Sequence, residues 1–313
     1  MFIKPKVLVT GGAGFIGSHQ VDALIDADYR VAVVDNLSTG DRNNLNPQAE
    51  FYELDIRESK LAEVFEKEKP DFVFHFAGQI SVNQSVEDPV YDADVNIIGS
   101  LNLLEQCVKY KVKKIIFSST GGALYGEADV VPTAEDYPCQ PISPYGIAKL
   151  SVENYLRFYF EQFGLACGIM RYANVYGPRQ NSKGEAGVIA IFTEKMLNRL
   201  TPIIHGDGHQ TRDYVFVEDV VSANMAMLES EAVDFYNVGT SRQTTVNEVF
   251  NFIKKELASD AEPRYDPNAF AGQAVSCLSF EKIQRALGWR PLFDVEEGIK
   301  KTVEWFRDKE NRK

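Results

Sequence analysis

Apolar runs and amphipathic stretches alternate through the first half of the chain. Lys6–Thr10, Arg30–Asp35, Phe72–Phe76, Lys114–Ser118 and Gly168–Tyr172 are short runs rich in β-branched and aromatic residues. Continuous apolar runs of this length suit strands buried on both faces. Between them, Ile16–Ala27, Lys60–Lys69, Val90–Lys111 and Tyr145–Phe163 carry helical spacing. Strand–helix alternation implies right-handed crossovers, and so predicts an α/β fold with a doubly wound parallel sheet between layers of helices.

After Tyr176 the pattern loosens. Ile189–Leu200, Val246–Leu257 and Glu296–Asp308 read as helices and Phe235–Val238 as a strand, while Pro178, Gly184, Gly187, Gly206 and Gly208 mark loops. The expected division is a sheet domain over residues 1–176 and a smaller α/β domain over 177–313. Residues 212–240 are expected to pack back on the first.

A length of 313 residues fits two domains and a core large enough to fold without staples. Lys and Arg number 33 and Asp and Glu 45, a net charge of −12 with no basic stripe. That field repels nucleic acid and anionic membrane surfaces, so neither is expected as a partner. The four cysteines lie far apart with no C-x-x-C pair, which predicts reduced thiols in an intracellular protein. The four histidines lack metal-ligand spacing, so no metal is expected. The chain runs directly into its first strand, so no leader is expected, and no apolar run reaches about 18 residues; both place the protein in the cytoplasm as an expectation.

The first candidate chemistry follows the first strand directly. Gly11-Gly12-Ala13-Gly14-Phe15-Ile16-Gly17 contains G-x-G-x-x-G and opens the first helix. Such a turn brings main-chain N–H groups close to a pyrophosphate, and the helix N-terminus adds about half a positive charge. Between strand and helix this is the context of a Rossmann-type dinucleotide site. Asp35 ends the second strand, 18 residues after Gly17. A carboxylate there accepts ribose hydroxyls and repels a 2′-phosphate, which favours NAD over NADP. The competing reading is a glycine-rich turn with no ligand.

The second candidate is Tyr145 with Lys149, a phenol and an ammonium at i and i+4 on one helical face. An ordinary tyrosine, with a pKa near 10, is a poor base at neutral pH. A neighbouring ammonium together with an oxidised nicotinamide would stabilise the phenolate, which could then take a proton from a substrate hydroxyl. Alone, the pair could equally be a surface Tyr and Lys. Ser118-Ser119-Thr120 ends a strand at its carboxyl end, where open α/β sheets bind ligands. The Thr120 hydroxyl can hydrogen-bond a substrate oxygen, although a plain strand-end turn has the same composition.

Taken in order, these motifs resemble the extended short-chain dehydrogenase/reductase family, and within it the UDP-galactose (UDP-glucose) 4-epimerase group. The likeness runs from Val9-Thr10 through Ser18, His75–Gly78, Asn96, Ser118–Thr120, Tyr145/Lys149, Arg171–Arg179, Gly206-Asp207-Gly208 and Arg212-Asp213, nearly the whole chain. It implies that Gly11, Gly14, Phe15, Ile16, Gly17, Asp35 and Asn36 hold NAD. Asp55 and Ile56 would flank the adenine, and Phe76, Ala77 and Gly78 would line the pyrophosphate channel. Asn96 would support the active-site backbone, with Ser118 and Tyr172 also on the cofactor. Thr120 and Tyr145 would face the sugar 4-hydroxyl, with Lys149 on the nicotinamide ribose. Asn174 and Arg212 would hold the nucleotide diphosphate of a UDP-sugar. The family also implies a homodimer through the helices Val90–Lys111 and Tyr145–Phe163, with Tyr155, Leu156, Phe158 and Tyr159 as an aromatic surface.

Within that resemblance, two features narrow the chemistry. Related 4,6-dehydratases carry Asp-Glu after the Thr, whereas Gly121-Gly122 follow Thr120 here. Elimination of water therefore lacks its acid and base, and 4-epimerisation through a transient 4-keto sugar remains. The family's size-gating residue aligns with Ser276, and a small residue leaves room for an N-acetyl group. UDP-GlcNAc/GalNAc thus joins UDP-Glc/Gal as an expected substrate pair.

One departure cuts the other way. Relatives carry a second phosphate-binding Arg where this chain has Ala269-Phe270-Ala271-Gly272. One lost charge-assisted hydrogen bond weakens affinity about 10- to 100-fold. Arg264, Lys183 and Arg179 are the available substitutes. The missing Arg supports one rival function, an NAD-binding protein impaired in substrate binding; a dehydrogenase or reductase of the same fold, releasing NADH each turnover, is the enzymatic rival.

Overall fold

The computed structural model describes residues 4–182, 187–269 and 273–311. Its central sheet has seven strands. Six are β1 (Lys6–Thr10), β2 (Arg30–Asp35), β3 (Glu50–Glu53), β4 (Phe72–His75), β5 (Lys114–Thr120) and β6 (Ala166–Tyr172). With the strand Asp234–Val238 at one edge, the order is 234–238, β6, β5, β4, β1, β2, β3. The pairings β1 with β2 and β4, β2 with β3, and β4 with β5 are parallel. This is the Rossmann-type arrangement, with the order reversing beside β1. Val7, Leu8, Val9, Val33, Phe74 and Ile115 are wholly buried, as expected for strands covered on both faces.

β3 escapes the sequence pattern because it is only four residues, with an exposed glutamate at each end and Phe51 and Tyr52 half-buried between them. The expected helix Val90–Lys111 is three pieces: Pro89–Ala93, a π-helical turn Asp94–Ile98, and Gly99–Lys109. The wide turn carries Asn96. Helix Pro144–Phe163 starts where it does because the Ser143 hydroxyl accepts from the Gly146 N–H at 3.2 Å and Pro144 occupies the first turn. It stops at Gly164, whose φ of 71° closes the last turn. Tyr145 and Lys149 thereby fall in its first two turns. On its other faces Leu156 and Tyr159 are buried in the core, so they leave the expected aromatic surface, while Tyr155 and Phe158 remain exposed.

The chain forms two compact units. One comprises the chain up to Leu124, Cys139–Arg171 and Asn224–Tyr236; the other comprises Tyr125–Pro138, Tyr172–Ala223 and the chain from Asn237. The boundary expected at residue 176 therefore falls elsewhere, and of 212–240 only Asn224–Tyr236 belongs to the first unit. Residues 125–138 join the second unit through hydrogen bonds. The Thr133 N–H donates to Cys277 O and the Ser279 N–H to Thr133 O, each at 2.8 Å, and the Asn237 N–H donates to Glu135.

The second unit is built on small strand groups. Asn174–Tyr176 pairs in parallel with Tyr214–Phe216, and Ile203–His205 with Arg264–Asp266. Thr211–Arg212 lies between Thr244–Thr245, antiparallel, and Val275–Ser276, parallel. Helices Val188–Leu197, Val246–Glu256 and Val295–Asn311 pack together.

Candidate functional site

In the first unit, the candidate residues gather at the carboxyl ends of β1, β2, β4 and β5. The Gly11 amide donates to Val34 O and the Gly14 amide to Gly11 O, folding the loop into a tight turn. Gly14 caps the helix Phe15–Asp26. At two positions main chain leaves no room for a side chain. A Cβ on Gly17 would lie 2.2 Å from Gly11 O, and one on Gly11 (φ +72°) 2.6 Å from the Ala77 amide. The loop is therefore pressed against Phe76–Gly78. Thr10 adds to this seam, its carbonyl accepting from Phe76 N at 3.0 Å. Phe15 and Ile16 sit partly exposed on the first helical turn.

Asp35 does two jobs at this loop. It is buried, and its oxygens accept from the Ala13 and Leu37 amides at 2.9 and 2.8 Å. Burial pushes its carboxyl above the usual range, against those two hydrogen bonds. Each oxygen keeps a second lone pair for a ribose hydroxyl. Asn36 donates to Asp55 at 2.8 Å. Asp55 is clamped by Arg57, whose Nε and Nη2 reach its two oxygens at 2.9 and 2.8 Å, holding its pKa down to about 2. Arg57 also binds Asp94 at 2.7 Å. The Ile56 side chain is buried in the hydrophobic core, which leaves its main chain to meet an adenine.

Asn96 clamps the backbone after Gly78. Its Oδ1 accepts from the Gln79 N–H at 2.9 Å and its Nδ2 donates to Gln79 O at 3.0 Å. Asn96 and Gln79 both donate to one oxygen of Asp92, which is buried. Sequence reasoning missed Asp92, Gln79 and Arg57, which act one layer behind the recognised motifs. His75 is buried between the Thr10 and Ser100 hydroxyls, 2.8 and 2.9 Å away, and burial lowers its pKa to about 3. It is a neutral spacer of the core.

The catalytic candidates lie on β5 and on the helix Pro144–Phe163 that packs against it. Lys149 is buried and donates to Ser118 O at 3.0 Å. Its Nζ lies 4.8 Å from the Phe117 ring centre and 5.8 Å from that of Tyr145. Burial lowers Lys149 to about 8, while Asp92 and Glu153 pull it back up. The Thr120 hydroxyl accepts from Ala123 N at 3.3 Å. Burial pushes the Tyr145 phenol up, and Asp92 adds to the rise. Both causes oppose the phenolate in the chain by itself; the lowering expected from sequence combined Lys149 with an oxidised nicotinamide.

The residues fit NAD. The loop is closed to side chains and open to main-chain contact, a helix N-terminus follows it, and a carboxylate stands at the end of β2.

In the second unit, Asn174, Arg212 and Ser276 come together. Arg212 and Ser276 are opposite one another in parallel register. The Asn174 N–H donates to Asp213 O at 2.9 Å. The Arg212 guanidinium donates to Thr211 O and Gln273 O at 2.8 and 2.7 Å, and burial lowers its pKa. Tyr172, at the end of β6, is buried. Ala269 forms a turn back to Asp266 O; Phe270, Ala271, Gly272 and Lys183 lie outside the described residues. Arg264 is exposed on its strand and Arg179 is partly buried with φ 68°.

A family model described as the NAD dependent epimerase/dehydratase family matches residues 7–239. Among solved structures, the chain is similar to the UDP-glucose 4-epimerase of Thermotoga maritima with UDP-glucose. Identity is 52% and the TM-score 0.95, covering 97% of this chain and 99% of that one. The Thermus thermophilus UDP-glucose 4-epimerase in complex with NAD is 43% identical with a TM-score of 0.91, covering 96% and 99%. The UDP-N-acetylglucosamine 4-epimerase of Methanobrevibacter ruminantium, in complex with UDP-N-acetylmuramic acid, is 37% identical with a TM-score of 0.93, covering 98% and 100%. On a family match over most of its length and relatives this similar from end to end, the chain belongs to the NAD-dependent epimerase/dehydratase family.

Proposed function

We propose that this protein is an NAD-dependent nucleotide-sugar 4-epimerase, interconverting UDP-glucose and UDP-galactose through a transient 4-keto sugar. The observation that carries the reading is Lys149 anchored on Ser118 O, one turn from Tyr145 on the same helix, with Thr120 ending the same strand. Bound NAD supplies hydride acceptance and return. The glycine loop, Asp35 and the helix N-terminus hold its phosphates and ribose. Tyr145 takes the proton of the sugar 4-hydroxyl and gives it back. Thr120 orients that oxygen, and Lys149 holds positive charge beside the phenol. Gly121-Gly122 offer no carboxylate for dehydration.

Asn174 and Arg212 bind the diphosphate in this reading. Ser276, small and beside Arg212, supports acceptance of UDP-GlcNAc and UDP-GalNAc as well. The same reading includes a homodimer and cytoplasmic placement, the latter supported by four free thiols. No helix among the described residues is long and apolar enough to cross a membrane.

Replacing Tyr145 with Phe tests the assignment. Turnover of UDP-galactose should fall at least about 10²-fold, the contribution of a general acid–base, with bound NAD retained. Unchanged turnover would remove Tyr145 from the chemistry.

A further inference from the structure

Asp213 is 1% exposed, yet it is the point at which the elements carrying Asn174, Arg212 and Ser276 are joined. Its N–H donates to Ser276 O and its carbonyl accepts from Asn174 N, both at 2.9 Å. It follows Arg212 directly in the chain. Its carboxylate is saturated with donors from two more distant segments. Oδ1 accepts from the Thr240 N–H at 2.9 Å and the Thr240 hydroxyl at 2.6 Å. Oδ2 accepts from Leu278 N at 3.2 Å and Ser241 N at 3.3 Å. The fit is close: a Cβ on Gly239 would lie 2.4 Å from Oδ2.

These donors are main-chain N–H groups and one hydroxyl. A buried carboxylate held in this way loses hydration that neutral donors only partly replace. An apolar residue of similar size would avoid that cost but leave the Ser241 and Leu278 amides without this acceptor. The arrangement makes sense where geometry matters more than stability. Ser241, with φ 57°, sits in a backbone region unfavourable to a side chain, and its amide is one of those the carboxylate holds.

We propose that Asp213 is the positioning residue of the nucleotide-sugar site, fixing Asn174, Arg212 and Ser276 relative to one another without touching the ligand. This rests on the assignment of those three residues to the substrate. It makes a prediction that a purely structural role does not. Loosening the carboxylate should spoil substrate affinity while leaving the chemistry and NAD, which depend on the first unit, intact.

The test is steady-state kinetics on the NAD-loaded protein with UDP-galactose. Asp213→Asn keeps the size but turns a donor toward donors, and should raise KM about 10- to 100-fold with kcat within about 3-fold. Thr240→Val removes the hydroxyl that donates to Oδ1 and accepts from the Arg242 N–H at 3.3 Å, and leaves the Thr240 main-chain donor in place; it should raise KM about 3-fold, which keeps the test alive if Asp213→Asn fails to fold. Arg212→Ala, run in parallel, reports on the substrate assignment itself. If Arg212→Ala raises KM while Thr240→Val and a folded Asp213→Asn do not, the positioning role is wrong. If Arg212→Ala leaves KM unchanged, the substrate assignment falls and the proposal falls with it.

Discussion

Arg171 grips Glu153 with two nitrogens in the core of the first unit, Nη2 at 2.6 Å from Oε2 and Nε at 3.0 Å from Oε1. Both side chains are about 6% exposed. Glu153 lies one helical turn beyond Lys149 and also accepts from the Ser119 hydroxyl at 2.5 Å. The guanidinium stands 4.4 Å from the centre of the Phe235 ring. This chain of contacts ties the helix bearing Tyr145 and Lys149 to the strand bearing Ser118 and Thr120.

Removing one partner leaves the other charge buried. Glu153→Leu should therefore destabilise the protein by about 3–5 kcal/mol, whereas the double variant Glu153→Leu/Arg171→Met should recover much of that loss. Denaturant unfolding of both variants measures it. A loss below about 1 kcal/mol for the single variant would show that the pair is not the tie described.

The pH dependence has two flanks with separate causes. Lys149, lowered by burial to about 8, carries its ammonium only below that pH, so kcat should fall as pH rises from 7 to 9. Asp213, raised by burial to about 6, protonates below that value and loses acceptor capacity, so KM should rise between pH 7 and 5. The sign for stability is the reverse of the usual carboxylate. A folded pKa above the unfolded 3.8 means that this group's contribution is present in acid and is lost as pH rises through about 6. A KM increase at pH 5 is then not unfolding through Asp213. Separate profiles of kcat and KM decide the matter, and a kcat flat from pH 7 to 9 contradicts the role of Lys149.

Much of this site was legible because its parts are local. The glycine loop needs glycine where Gly11 and Gly17 meet backbone, and Tyr145 and Lys149 share a helical face that four residues of sequence define. Asp35 was legible because it ends an apolar run. Asp213 showed in the sequence only as part of the Arg212-Asp213 motif; its joining role was hidden because its four donors come from residues 240, 241 and 278, which no local pattern connects to it. Asp92 and Arg57 were hidden for a similar reason: each acts through a recognised neighbour, Asn96 or Asp55. In the fold, β3 lacked an apolar run, and the two-residue strands of the second unit were too short for any periodicity. The burial of Leu156 and Tyr159 beside exposed Tyr155 and Phe158 is a matter of helical phase, which an aromatic-rich stretch blurs.

That phase also predicts assembly. Ile147, Tyr155 and Phe158 are spaced along the helix Pro144–Phe163 and are 39–52% exposed, and Val90 and Ile98 are exposed on the neighbouring segment. Apolar groups collected in this way mark an interaction surface. Sedimentation at micromolar concentration should give the mass of two chains, and Phe158→Glu should give that of one. A monomeric wild-type protein under those conditions rules out the homodimer.

A 4-epimerase that retains its NAD works without added cofactor. The purified protein is incubated with UDP-galactose alone, and the nucleotide sugars are followed by NMR. UDP-glucose should appear with no net oxidation or reduction, because NAD is retained and hydride returns to the sugar. Absence of UDP-glucose even after NAD is supplied, or release of NADH in proportion to substrate consumed, would overturn the assignment as a 4-epimerase.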